Sequence, residues 1–581
     1  MQIIKNLENY IKEYLQGKDV SLDFFKVRVD LQNEFNFGDI TINAAMMYAK
    51  DLNVNPKDLA QEIVDYLQSI NTLNDGQNKF AEKIEIAGPG FINLWLEKSV
   101  IRSELDKSFD IINTKYTGKN ILVEHSSPNL FKPFTIGHLM NNFIGEFVVR
   151  AMRVSGADVT TMSYPSDVSL GIAKAMYILK QDGGIEKKKF ELQDNKKLIE
   201  YLGNCYVRGV KKYEEDQSIE KEVKGIANEI YNHLNAGNYK DYYVAKSLSE
   251  EYFRENMEDL GSSFDNIIYE SSASINALEI FKDYVGEDLT FKKSEGAIVY
   301  IPEENRKDIN TTVFINSEGY PTYAGKDIAL LQIKFFKLNF DYSFFITDNQ
   351  QVPHFKVVMA AAASMGGDFM AYAEKSVHVT HGRMTFKGAK MSSRLGGVPS
   401  AEDTINAVIA EVKDKQGDKL EAHTQEEKDK IVKDIALAAL RISILRSKPG
   451  VNIDFDPEVS LSFNGDSGPY LCYTHARCAQ LLAKAKLENI LPISSSELEI
   501  NDLERKMFQF QEILKESIED IAPQKLVKYL FDLSAEFNRF YEVNKIIGGE
   551  NAEHNLYLVS EVKNILKKAL YILGINAPEK M

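Results

Sequence analysis

The stretch from Asn120 to Tyr164 constrains the fold most. ILV at 121–123 is a short, wholly apolar run. It is followed by the polar loop EHSSPNLFKPFTIG and by a helical pattern from His138 to about Ser155, with Leu139, Phe143, Phe147, Val148 and Met152 on one stripe. Gly156 stops that helix, and DVTTMSY at 158–164 supplies the next strand. Strand, crossover helix and strand make a βαβ unit, which closes as two parallel strands with the helix on one face. The expected fold class is therefore α/β, built on a Rossmann-like, doubly wound parallel sheet.

At 581 residues the chain is several times the usual ~150 residues of a domain, so further domains are expected around that sheet. Residues 1–112 read as an α+β unit, with helical spacing from Ile40 to Leu67 restarted at Asn55-Pro56. The strands KIEIA (83–87) and FINLWL (91–96) meet across Gly88-Pro89-Gly90, and Trp95 is expected in their core. Residues 113–455 form the sheet domain, with a helical insertion at about 172–290. After it, AIVYI (297–301), TVFIN (312–316) and DYSFFIT (341–347) return to sheet-like text. The charged stretches 413–430 and 488–502 read as solvated connectors. Residues 456–581 read as all α-helical, with Leu526, Leu530, Leu533, Phe537 and Phe540 on one face near the end.

Cys205, Cys472 and Cys478 are too few and too scattered for a disulfide framework or a Cys-x-x-Cys metal site. No apolar run reaches the ~18 residues of a membrane span, and MQIIKNLENYIKEYL reads as an amphipathic helix and not a secretory signal. A reduced, cytoplasmic location and no membrane partner are expected. The net charge of −16, from 85 acidic and 69 basic side chains, argues at first against a phosphate-bearing partner. Local distribution reverses that. HGRMTFKGAKMSSRLGG at 381–397 carries Arg383, Lys387, Lys390 and Arg394 with no acid, and its glycines and serines suit a mobile loop that neutralises phosphate. Thr135-Ile136-Gly137-His138 stands where the first strand hands over to its helix, the place where free backbone N–H groups meet an anion. Read alone, these four residues serve equally well as an ordinary helix cap.

Taken together, the two segments resemble the HIGH and KMSKS motifs of class I aminoacyl-tRNA synthetases, and the chain as a whole resembles the arginyl-tRNA synthetases. SSPNLFKPFTIGH (126–138), YPTYAGKDIA (320–329), DNQQVPHF (348–355) and FNGDSGPYLCYTHAR (463–477) follow that family's blocks in order. GPGFINLWL (88–96) resembles the end of its N-terminal domain, and LGINAPEKM (573–581) its C-terminus. Two departures stand out. Thr135 replaces the first histidine of HIGH, and YPSDVSLG (164–171) keeps Asp167 of the family's glycine–aspartate–tryptophan–glycine stretch without its tryptophan. KMSSR retains the lysine that many members lack, and Lys132 stands where those members carry a compensating one.

The resemblance implies an enzyme that activates L-arginine with ATP, brought in with Mg²⁺ as substrate, and transfers it to tRNA(Arg), working as a monomer with no structural metal. It assigns Thr135, Gly137, His138, Met384 and Lys390 to ATP, with His138, Lys390 and Lys132 as the catalytic set. It assigns Glu124, Asn129, Tyr323, Asp327 and Gln351 to arginine, whose planar, permanently charged guanidinium calls for carboxylates in fork geometry. Tyr470, Tyr473 and Tyr541 are assigned to tRNA; Phe540 lies on the buried stripe and is expected in the core. Two rivals stand beside this reading. One is a non-catalytic paralogue that binds RNA, supported by Thr135. The other is a related specificity such as cysteine, which the scattered cysteines disfavour.

Overall fold

The computed structural model describes residues 1–18, 29–31, 35–71, 79–106, 111–233, 239–287, 289–387, 400–416 and 424–580. Its centre is a five-stranded parallel sheet in the order Ser376–His381, Tyr342–Asp348, Asn120–Glu124, Asp158–Ser163 and Asn266–Ile267. The strand Asn120–Glu124 pairs Glu124 with Met162 on one side and with Phe345 on the other. From this strand the chain winds first one way and later the other, so a crevice opens beyond the carboxyl ends of Asn120–Glu124 and Tyr342–Asp348. Glu124 and Asp348 end those two strands at its rim.

The helix Ile136–Val154 covers one face of the sheet. The expected stripe is buried, and so are Met140, Ile144, Val149 and Ala151, because the helices Gln425–Leu445 and Ala552–Ile572 contact its outer side. The fit is close: a Cβ on Gly145 would lie 2.3 Å from the His125 ring. At its far end Arg150 Nη1 donates to the Tyr571 carbonyl (3.1 Å), Nη2 to the Gly261 carbonyl (3.2 Å) and Nε to Glu146 (2.9 Å). Arg441, wholly buried, lies 4.3 Å from the Phe143 ring and donates to the Leu260 carbonyl at 2.8 Å. These two arginines tie the helix to the end of the inserted helices and to the C-terminal helix.

Several expectations change. Ile40–Ile42 is a strand, not the start of helical spacing, and pairs antiparallel with Phe91–Leu96. Two isoleucines and a threonine suit a pleated surface, and all three residues are buried. Helix begins at Ala44–Tyr48 and again at Pro56–Ser69, where the Asn55 side chain accepts from Lys57 N at 2.9 Å. Trp95 is only half-buried, with the Lys83 ammonium 4.5 Å from its ring. The strands Ala297–Tyr300 and Thr312–Ile315 do not join the parallel sheet; with Phe291–Ser294 they make a separate antiparallel one. A two-residue turn with positive φ at Glu295 and Gly296 can close only a hairpin, whereas parallel strands need a crossover. The inserted helices run to Asp259, and the chain re-enters the main sheet at Asn266–Ile267. Much of 413–430 is helix: Ala401–Gln416 and Gln425–Leu445 flank it, the latter opened by a Thr424–Glu427 capping box.

Candidate active site

The crevice holds a cavity of about 530 Å³. Its walls include Glu124, Asn129, Thr135, Gly137, His138, Tyr323, Asp327 and Gln351, so eight residues singled out from separate parts of the sequence converge on one space.

One end is built by the turn into the long helix. Thr135 is the helix N-cap in extended conformation, and its backbone N–H donates to His138 Nδ1 at 3.0 Å, with its hydroxyl 3.1 Å from the same nitrogen. A ring that accepts at Nδ1 carries its hydrogen on Nε2, which makes His138 a neutral donor. Burial, helped by Lys132 and His381, holds its pKa down at about 3. Phe134 stacks on the ring at 4.9 Å. Around the position of a Cβ on Gly137 only Thr135 Oγ1 comes near, at 3.7 Å, so a ligand can approach the backbone there. The turn is also pinned from outside: Ala401 N donates to the Phe134 carbonyl at 2.7 Å, and Thr135 bridges to Ser400. His381, from the edge strand, donates from Nδ1 to the Gly382 carbonyl at 2.8 Å and presents Nε2 as an acceptor. Lys132 is not a wall of the cavity; its ammonium lies 5.1 Å from the Tyr206 ring, and burial lowers its pKa. Met384 is likewise off the wall, buried on the strand Met384–Phe386, which pairs with Ile453–Phe455. Part of the expected mobile loop is thus strand; Lys390 and Arg394 lie outside the described residues.

The other end is dense with charge. Glu124 pairs with Lys334, and Asp327 with His354 Nε2 at 2.6 Å. Glu270 accepts from Ser166 Oγ and from Lys326 Nζ, both at 2.9 Å and both on Oε2. Burial raises the Glu270 pKa against the pull of Lys326. Asp327 and Lys334 stand two helical turns apart on Tyr323–Lys337, which brings both to the cavity. Sequence reasoning missed Lys326, Lys334, Glu270 and His354. Lys326 and His354 lie inside the quoted YPTYAGKDIA and DNQQVPHF, and Lys334 repeats the heptad spacing from Asp327; no sequence signal marks Glu270. Asp167 is fully buried off this wall, where it accepts from Lys246 (2.7 Å) and from the Ser271 amide (2.8 Å) and hydroxyl (2.7 Å). It fastens the loop after the second strand to the helices around it.

On the helical C-terminal region, Arg477 joins three of the selected aromatics. Its guanidinium lies 4.9 Å from the Tyr473 ring and 5.2 Å from the Tyr541 ring. It donates to Asn538 Oδ1 at 2.9 Å, and Asn538 donates to Tyr470 Oη at 2.8 Å. Tyr473 and Tyr541 are exposed, whereas Phe540 is buried as expected. Among the described residues no helix is long and apolar enough to cross a membrane. Nor do the described residues hold a group of three or more His, Cys, Asp or Glu side chains suited to a metal ion.

The sequence and fold are similar to those of known proteins. The catalytic-domain model of class I tRNA synthetases (R) matches residues 101–456. The DALR anticodon binding domain matches 471–581, and the arginyl tRNA synthetase N-terminal domain 2–96. The arginine–tRNA ligase of Bacteroides fragilis is 26% identical over 605 residues, covering 98% of this chain and 97% of its own. That of Thermococcus sibiricus is 28% identical over 649 residues, covering 99% and 98%. Thermus thermophilus arginyl-tRNA synthetase shares the fold, with a TM-score of 0.77 at 23% identity over 99% of this chain and 100% of that one. The Plasmodium falciparum enzyme does so too, at 0.77 and 21% over 100% and 99%. The catalytic-domain match alone covers more than half of the sequence, and with the two flanking matches it accounts for nearly all of it: the chain belongs to the arginyl-tRNA synthetases of class I.

Proposed function

We propose that the protein is an arginine–tRNA ligase that makes arginyl-adenylate from L-arginine and ATP and passes the arginyl group to tRNA(Arg). One observation carries the reading: Glu124 and Asp327, acids suited to a guanidinium, share a single cavity with the Thr135–His138 turn, suited to a phosphate. The arginine carboxylate is ionised at neutral pH and needs no general base. It attacks the α-phosphorus in line; a carboxylate oxygen–phosphorus bond forms as the bond to the departing pyrophosphate breaks. The protein's part is to position the reactants and stabilise charge. His138 Nε2–H, the exposed backbone at Gly137 and the Thr135 hydroxyl serve the nucleotide. Lys390 balances pyrophosphate, with Lys132 beside the turn as the second cation. Glu124 and Asp327 hold the guanidinium, Tyr323 walls it, and Asn129 and Gln351 take the α-amino and carboxylate end. In the second step the terminal ribose hydroxyl of the tRNA attacks the adenylate carbonyl and AMP leaves.

Mg²⁺ enters as part of the ATP substrate and is given no protein ligand. On this reading residues 113–455 perform the chemistry, while 1–112 and 456–581 meet the tRNA. Tyr470, Tyr473 and Tyr541 offer rings to unstacked bases. The enzyme works as a cytoplasmic monomer. Pyrophosphate exchange into ATP, measured with arginine, Mg²⁺ and tRNA(Arg) all present, should appear only when arginine is supplied. No exchange under those conditions would sink the reading.

A further inference from the structure

Tyr164 follows the second strand of the sheet, with its backbone N–H held by Ser127 Oγ at 3.0 Å. It lines the cavity and is 8% exposed, and its buried hydroxyl has no hydrogen-bond partner among the described residues. Buried hydroxyls are almost always satisfied, so this one calls for an explanation. The acids that bear on it are Glu270, Asp327, Glu124 and Asp167, in that order. Asp167 is taken up by Lys246 and Ser271. The other three each meet their resident base through one oxygen: Glu270 through Oε2, Asp327 through Oδ2 and Glu124 through Oε2. An oxygen able both to accept and to donate therefore lines the same cavity as the Glu270, Asp327 and Glu124 carboxylates.

A guanidinium carries five N–H donors, and two carboxylates in fork geometry take four of them. The remaining donor needs a neutral acceptor, and the group supplying it gains if its own hydrogen can pass to a neighbouring acid. We propose that Tyr164 is a specificity-determining contact for the arginine side chain, accepting one guanidinium N–H while donating to an adjacent carboxylate. The inference rests on the ligase reading of the cavity.

Tyr164→Phe tests it, because the substitution keeps the ring and removes only the unpartnered oxygen. In tRNA-supported pyrophosphate exchange the KM for arginine should rise about tenfold, the loss expected for one hydrogen bond to a charged group. The KM for ATP and the rate at saturating arginine should stay within twofold, and the melting temperature should not fall. An unchanged arginine KM overturns the proposal, as does a rise shared equally by arginine and ATP or a lowered melting temperature accompanying the KM change. Wild-type protein run alongside separates the two questions. If it shows no arginine-dependent exchange, the ligase reading itself fails; if it does, and Tyr164→Phe matches it, only the role of Tyr164 falls.

Discussion

The two ends of the cavity solve different electrostatic problems. At the Thr135–His138 end the described donors are neutral: a backbone turn, a hydroxyl and an imidazole whose pKa is held at about 3. At the Asp327 end Glu124, Asp327 and Glu270 are already engaged by Lys334, His354 and Lys326. A guanidinium is charged before, during and after the reaction, so fixed carboxylates can await it, each oriented by a resident base. The triphosphate is negatively charged throughout as well, and only the added charge on the leaving pyrophosphate is new in the transition state. Lys132, the cation beside that turn, bears a desolvation cost that lowers its pKa, a cost the neutral donors on the wall avoid.

The contrast can be broken most decisively at Asp327. Asp327→Ala should raise the KM for arginine in the exchange assay by about 100-fold or more, as expected when a buried charge loses its partner, with the KM for ATP little changed. Equal damage to both substrates would erase the division between the two ends. Lys390→Ala should slow exchange about 100-fold at saturating substrates without moving the arginine KM; an undiminished rate would hand the role to Lys132. Arg477→Ala, far from the chemistry, should raise the KM for tRNA about tenfold by loosening the Tyr473 and Tyr541 platform, leaving kcat in place.

The smallest effect concerns acid. Burial lowers His138 to about 3 and His125 and His378 to about 4, from an ordinary 6.5. Each imidazole then binds its proton more weakly in the folded chain than in the unfolded one. Between about pH 6.5 and pH 4 the unfolded chain holds more protons, and stability falls as acid is added through that window. Melting temperature followed over this range should drop by a few degrees, and His138→Asn should flatten part of the slope. A wild-type profile level from pH 6.5 to 4 would mean that these rings are not held neutral.

What the sequence made legible was whatever is local. The apolar run 121–123, the stripe on the following helix and the strand after it announced a parallel sheet. The Thr135–His138 turn was findable because helix starts have a fixed place in such a sheet. Pairings set by topology were not. Nothing near Lys334 in the chain reveals that it meets Glu124, and nothing near Met384 shows that it pairs with Ile453 on a short strand. Short β-branched runs misled for the same reason: Ile40–Ile42 satisfied a helical spacing until Phe91–Leu96 claimed it as a neighbour. Trp95, expected in the core of its two strands, is sent by strand alternation toward Lys83 and the surface.

The helix that begins at Thr135 ends near Arg150 and its bond to the Tyr571 carbonyl. Its 19 residues make a rod about 28 Å long. The first turn meets the nucleotide end of the cavity, and the last turns are bolted to the C-terminal helix. A continuous helix of this length has no loop or break between the two ends. The His138 ring and the C-terminal helix Ala552–Ile572 thus sit at the two ends of one rigid element, with Arg441 packed on its middle at Phe143.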